Sequence, residues 1–180
     1  LPAGVFNVVP GLGAEAGQAL ARHMDVAKIA FTGSGPTGRK MMQYAAESNM
    51  KQVSLELGGK SPQVVLNDCT DLEAAASTIA WAIYYNAGQT CNAGSRIIVE
   101  KGVKEELFAH LHKFLESFVV GNQFDPTTQM AGLVSELQRD RVNAYLDLIG
   151  QDGEKLVFGG EKTTGKDLLI KPTLIDNVKP

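Results

Sequence analysis

The chain has 180 residues, 44% hydrophobic and 21% charged, which is globular composition with room for one sizeable core or parts of two, and excludes a disordered chain. A net charge of −3 and an isoelectric point near 5.6 argue against a phosphate-backbone partner, so no nucleic acid is expected. Two cysteines, Cys69 and Cys91, make no disulfide framework and fit a reducing compartment, so the expected location is cytoplasmic.

No apolar run reaches the ~18 residues of a membrane span, no signal-peptide pattern opens the chain, and no membrane partner is expected. His23, His110 and His112 form no ligand pattern, because residues two apart on a helix face different ways, and no metal is expected.

In chain order, Val5 to Val9 reads as a short strand, broken by Pro10-Gly11-Leu12-Gly13, and Glu15 to His23 has helical composition. Lys28 to Thr32 reads as a second strand, followed by the turn Gly33-Ser34-Gly35-Pro36-Thr37-Gly38 and a helix from about Arg39 to Ser48. Pro36 suits a first helical turn, where its missing N–H is not needed. Gln52 to Leu57 is a third strand, with Val53, Leu55 and Leu57 on one face and Ser54 and Glu56 on the other. This β-α-β-α-β succession predicts an α/β fold with a parallel, doubly wound sheet.

After Gly58-Gly59, Pro62 to Leu66 reads as a strand, Leu72 to Tyr85 as an alanine-rich helix and Arg96 to Glu100 as a strand. Val103 to Val119 carries Leu107, Leu111, Phe114, Leu115 and Phe118 at helical spacing, with charge opposite. Ser135 to Ile149 is a further helix with Val142, Tyr145, Leu146 and Ile149 as its apolar face, and Leu156 to Phe158 and Leu168 to Ile175 read as strands. The glycine pair separates two α/β units, residues 1–58 and 59–180.

Between the alanine-rich helix and the following strand lies Asn86-Ala87-Gly88-Gln89-Thr90-Cys91-Asn92-Ala93-Gly94-Ser95-Arg96. Cys91 is the candidate nucleophile, since junctions of regular elements expose reactive side chains; by residue type alone a small cysteine filling a turn is the commoner case. Gly33, Gly35 and Gly38 match G-x-G-x-x-G behind a strand and ahead of a helix, where backbone approaches a phosphate and the helix N-terminus supplies positive potential. Glu56 stands 18 positions after Gly38. It reads as a ribose-binding acid, as a general base working with Cys91, or as a solvated charge at a strand end.

Phe31-Thr32-Gly33-Ser34, then Leu55-Glu56-Leu57-Gly58-Gly59-Lys60-Ser61-Pro62, then Gly88-Gln89-Thr90-Cys91 with Ala93-Gly94-Ser95-Arg96, resemble in this order the signature blocks of the NAD(P)-dependent aldehyde dehydrogenase superfamily. Leu1-Pro2-Ala3-Gly4-Val5 and Asn7-Val8-Val9-Pro10-Gly11 resemble its nucleotide-binding region, and the general likeness is to bacterial enzymes of the aminoaldehyde and γ-glutamyl-aminobutyraldehyde type.

The resemblance implies parts of two three-layer α/β domains, each a largely parallel sheet flanked by helices. Residues 1–58 would be the C-terminal part of the NAD(P)-binding domain and 59–180 the N-terminal part of the catalytic domain. It implies that Cys91 attacks an aldehyde and that Glu56 activates the water that hydrolyses the thioester. Gly33, Ser34, Gly38, Gly13 and Gly17 would lie along the cofactor and Leu57 near its nicotinamide.

The implied cofactor is NAD or NADP, the partner a small aldehyde, and the assembly a homo-oligomer, dimer or tetramer. Family members are more than twice as long, so an internal fragment with little or no activity of its own is expected. The competing expectations are a non-catalytic nucleotide-binding relative and a CoA-acylating aldehyde dehydrogenase; Glu56 in its block favours water as the acceptor.

Overall fold

In the computed structural model, residues 1–179 are described; Pro180, the last residue of the expected second domain, lies outside them. The chain forms two compact units, Leu1–Gly59 and Lys60–Pro180.

The first unit is a parallel strand pair with a crossover helix. Strand β1 (Lys28–Gly33) leads into α2 (Gly35–Ala46), which returns the chain to β2 (Gln52–Leu57) beside β1 in parallel. Ile29, Phe31, Val53, Leu55 and Leu57 are half-buried while their neighbours in sequence are exposed, the period-two pattern of a strand covered on one face. Gly38, Met41 and Ala45 form the buried stripe of α2 at helical spacing.

Ser34 caps α2 by accepting from the Thr37 N–H at 3.4 Å, and this moves the helix start four residues earlier than the expected Arg39. Most of the glycine turn is therefore the first turn of a helix. Upstream, a π-type turn, Gly13–Gly17, runs into the short helix α1 (Gln18–Arg22), tied to α2 by the Arg22–Glu47 ion pair at 2.6 Å.

One expectation fails here. Val5 to Val9 is not a strand but exposed irregular chain, with Val5 at 61% and Val8 at 73% of full exposure. A β-run becomes a strand only when a neighbouring edge takes up its N–H and C=O groups; here the Val5 N–H reaches no farther than Pro2. The predicted β-α-β-α-β succession reduces to one β-α-β unit.

The second unit holds the larger core. Strands β3 (Pro62–Val65) and β4 (Arg96–Val99) pair in parallel, and between them the chain passes through α3 (Leu72–Tyr84), capped by Asp71 accepting from Ala74 N–H at 2.8 Å. Leu107, Leu111 and Leu115 of α4 (Lys104–Glu116) are almost fully buried, one per helical turn, against Leu72, Ala76, Ile79 and Ala80 of α3. Small alanines let the two helices approach, and Trp81, Phe114 and Phe118 close the seam with edge-on ring contacts at 5.2 to 6.3 Å.

Helix α5 (Glu136–Leu146), capped by Ser135, buries Arg139 and half-buries Val142 and Leu146, but Tyr145 is 74% exposed, a correction to its expected apolar face. Three polar tethers decide the rotation of α5. Arg139 donates to the Gly165 carbonyl, Asn143 to Thr163 O at 2.7 Å, and Lys162 pairs with Asp147, so the loop 161–167 claims the face. Strands β5 (Lys155–Phe158) and β6 (Leu174–Asp176) pair antiparallel. The expected strand Leu168 to Ile175 is thus mostly irregular: Leu168 O accepts from Leu133 N–H and Pro172 has no N–H to offer a ladder. Among the described residues no helix is long and apolar enough to cross a membrane.

Candidate functional site

Each unit carries its own part of the predicted site. In the first, β1 and β2 end side by side, with Thr32 opposite Glu56 and Gly33 opposite Leu57. Glu56 is exposed and its carboxylate makes no hydrogen bond or ion pair among the described residues, leaving both oxygens open to a water. Gly33 and Ser34 sit where β1 passes into the N-terminus of α2, a 12-residue helix whose aligned peptides place positive potential there.

The donors at that end are not equivalent. The Thr37 N–H is taken by the Ser34 side chain and the Gly38 N–H by the Ser34 carbonyl at 2.9 Å, while Pro36 has none. The Gly35 N–H has no acceptor among the described residues, and a Cβ there would meet nothing within 4 Å. Gly35 was not among the predicted cofactor residues, though its place in the glycine turn marked it.

Gly38 acts by packing: a Cβ would lie 2.8 Å from Leu57 Cδ2, so glycine lets α2 settle onto β2 while Leu57 lies half-buried beneath it. Gly13 and Gly17 bracket the π-type turn, and a Cβ at either would meet nothing within 4 Å.

In the second unit, α3 feeds the cysteine turn. Ala87 (φ 51°) and Gly88 (φ 72°) are both left-handed, and the Gln89 N–H bonds back to Asn86 O at 2.9 Å, which makes Asn86–Gln89 a mirror-image type I turn. Glycine adopts that backbone freely; alanine does so at a cost of about 1–2 kcal/mol, a local strain held by the surroundings. The side chains of Asn86 and Gln89 each bond the other's carbonyl at 3.2 Å, and Gln89 Oε1 accepts the Val134 N–H at 2.9 Å. Past the cysteine, Gln63 Nε2 donates to Gly94 O at 2.7 Å.

Cys91 itself is exposed, and its backbone N–H donates to no acceptor among the described residues, so sulfur and N–H are both open at one residue. The neighbouring Thr90 hydroxyl is buried with no hydrogen-bond partner among the described residues. Cys69, half-buried with Sγ 3.7 Å from Asp71 O, belongs to the entry of α3 and not to this turn. Gln89 and Gln63 had no predicted role: the pairing of Gln89 with Val134 spans 45 residues and only folding reveals it. Among the described residues no group of three or more metal-ligating side chains converges.

Cys91 thus stands two residues past the left-handed Asn86–Gln89 turn with its thiol and backbone N–H both unbonded among the described residues, and the glycine turn of the first unit stands at a helix N-terminus. The chain is 44% identical over 180 residues to the aminoacetaldehyde dehydrogenase of Pseudomonas aeruginosa, covering 100% of this chain and 36% of that protein. It superposes on the crystal structure of γ-glutamyl-γ-aminobutyraldehyde dehydrogenase from Burkholderia cenocepacia with TM-score 0.90 and 46% identity, over 97% of this chain and 36% of the other. With P. syringae AldA, an indole-3-acetaldehyde dehydrogenase in complex with NAD+ and IAA, the TM-score is 0.94 at 42% identity, over 99% and 37% of the two chains. The chain thus spans little more than a third of the length of these relatives. Residues 1–180 match the Aldehyde dehydrogenase family from end to end, and the chain belongs to that family.

Proposed function

We propose that the protein carrying this chain oxidises an aldehyde to a carboxylic acid, with Cys91 as nucleophile and Glu56 as the base for hydrolysis. The observation that carries this reading is the exposed Cys91 with its unbonded N–H on a braced turn, in a chain of this family. The Cys91 thiolate adds to the carbonyl carbon, and the oxygen, now anionic, accepts from the Cys91 N–H; one such donor is worth roughly 3–4 kcal/mol in other enzymes. A bound NAD or NADP would supply the hydride acceptor, and loss of hydride from this carbon would leave a thioester on Cys91. Glu56 then takes a proton from water, the hydroxide oxygen bonds to the acyl carbon, and the carbon–sulfur bond breaks to return the thiolate; a positioned carboxylate base typically contributes ~10²–10⁴-fold.

Gly33, Ser34 and the open Gly35 N–H at the N-terminus of α2 fit the cofactor pyrophosphate, with Gly13 and Gly17 as further backbone contacts and Leu57 beside the nicotinamide. Gly38 serves this site by bringing α2 close to β2. We read residues 1–58 as nucleotide-domain chain and 59–180 as catalytic-domain chain, the aldehyde as a small molecule of the aminoaldehyde type, and the working assembly as a homo-oligomer in the cytoplasm. The 180-residue chain by itself is expected to be inactive.

The test is aldehyde-dependent NAD(P)H formation by the full-length protein beside Cys91→Ala and Glu56→Gln. Cys91→Ala is expected to abolish turnover. Glu56→Gln is expected to keep a first burst of NAD(P)H and then slow by about 10²-fold or more. Unchanged steady-state turnover in either variant would remove that residue from its role.

A further inference from the structure

Two glutamines flank Cys91 in space, and the chemistry above uses neither. We propose that Gln89 and Gln63 are positioning residues that pin the cysteine turn at both ends and so hold Cys91 Sγ in the attacking orientation; this rests on Cys91 being the nucleophile.

On the N-terminal side, Asn86 O accepts both the Gln89 N–H at 2.9 Å and Gln89 Nε2 at 3.2 Å, while Asn86 Nδ2 donates to Gln89 O at 3.2 Å. Gln89 Oε1 then takes the Val134 N–H at 2.9 Å, tying the turn to the residue before the Ser135 cap of α5. Because a backbone N–H can only donate, the carboxamide oxygen must face Val134 and the nitrogen must face Asn86, and only a side chain with both a donor and an acceptor satisfies the two at once. On the C-terminal side, Gln63 from β3 reaches Gly94 O at 2.7 Å and lies 3.4 Å from Ile79 O in α3. Gly94 is buried with the Gln63 amide 2.6 Å from where a Cβ would stand, so the contact is close-packed.

Between these ties, Cys91 makes no side-chain hydrogen bond among the described residues, so the backbone turn fixes where its Cβ stands and which positions its sulfur can reach. Thiolate attack needs a near-attack geometry, and a displacement of about 1 Å costs on the order of 10²-fold in rate.

The experiment compares Gln89→Leu, Gln89→Glu and Gln63→Leu with the parent full-length protein, with Cys91→Ala as a control. Turnover is normalised to folded protein, and iodoacetamide labelling of Cys91 is followed by peptide mapping that counts Cys69 separately. For Gln89→Leu, kcat is expected to fall about 10–100-fold while KM for the aldehyde changes by less than about 3-fold, and Gln63→Leu to fall about 10-fold. Gln89→Glu keeps the acceptor for Val134 N–H but sets a carboxylate oxygen against Asn86 O, so its kcat is also expected to stay well below the parent. Labelling of Cys91 in Gln89→Leu is expected to slow at least about 3-fold, because a loosened turn presents the sulfur for only part of the time.

A kcat per folded protein within about 3-fold of the parent in Gln89→Leu overturns the proposal, as does unchanged labelling; a loss of folded protein alone marks Gln89 as structural. If Cys91→Ala retains turnover, the nucleophile reading falls, and the labelling rates still decide whether the two glutamines place the thiol.

Discussion

At the scale of single residues, backbone conformation and the room for a Cβ shape the cysteine turn of the second unit and the glycine turn of the first. Gly88 accepts a left-handed backbone that a side chain resists, and Ala87 beside it is held there by the bonds of its turn. Gly38 is needed for a different reason, the lack of room. A Cβ at Gly38 meets Leu57 Cδ2 at 2.8 Å and Cδ1 at 3.4 Å, with Leu55 Cδ1 at 3.5 Å. Gly38→Ala gains up to about 1 kcal/mol of helix propensity and loses about 1–3 kcal/mol to overpacking, so a net destabilisation of roughly 1 kcal/mol is expected. Urea unfolding followed by circular dichroism reads it; a stabilised variant would show that α2 has slack over β2.

Among elements, α3 is the part that joins the core to the cysteine turn. Its buried face packs on α4, and its last residue, Tyr84, donates to Thr173 O at 2.8 Å just before β6, so the helix end that delivers the cysteine turn is fastened to the β5–β6 pair. Burial pushes the Tyr84 hydroxyl up to about 12. The neutral phenol is the native form, so this tether is fully present below the ordinary tyrosine value of 10.0 and is lost as pH rises through the interval to about 12. Tyr84→Phe leaves the Thr173 carbonyl without its donor and is expected to cost about 1–3 kcal/mol at neutral pH. Melting temperatures at pH 8 and pH 11 check both points: the parent should lose stability over that range more steeply than the variant. A second tether, Lys104 to Asp176 at 2.6 Å, joins α4 to β6 and holds the Asp176 carboxyl below its usual value, so its contribution is present at neutral pH and fades in acid.

For the molecule as a whole, the distribution of core sets the order of stability. The buried cluster from Val65 to Leu174 belongs entirely to the second unit, whereas the first buries only Ala21, Met41 and Ala45 among its apolar side chains. Amide hydrogen exchange should therefore be slowest in α3 and α4 and faster in α1, α2 and β2; equal protection across the two units would contradict it. Val64 and Ile98, partners across β3 and β4, are 60% and 50% exposed. Such apolar strand faces favour association, and light scattering of the 180-residue chain is expected to show it.

The sequence by itself determined what depends on local pattern: the strand alternation of Gln52 to Leu57, the helical stripe of Leu107, Leu111 and Leu115, the serine and proline at the start of α2, and three ordered blocks that point to the family. Tertiary structure decided what depends on partners distant in the chain. Val5 to Val9 has the composition of a strand yet pairs with no edge, and Tyr145 lies at an apolar position of α5 yet faces outward because Arg139 and Asn143 turn the helix toward the loop 161–167. The glutamines around Cys91 belong to the same class. Their partners at Val134 and Gly94 lie 45 and 31 residues away, and a hydrogen bond leaves no periodicity in sequence by which to find it.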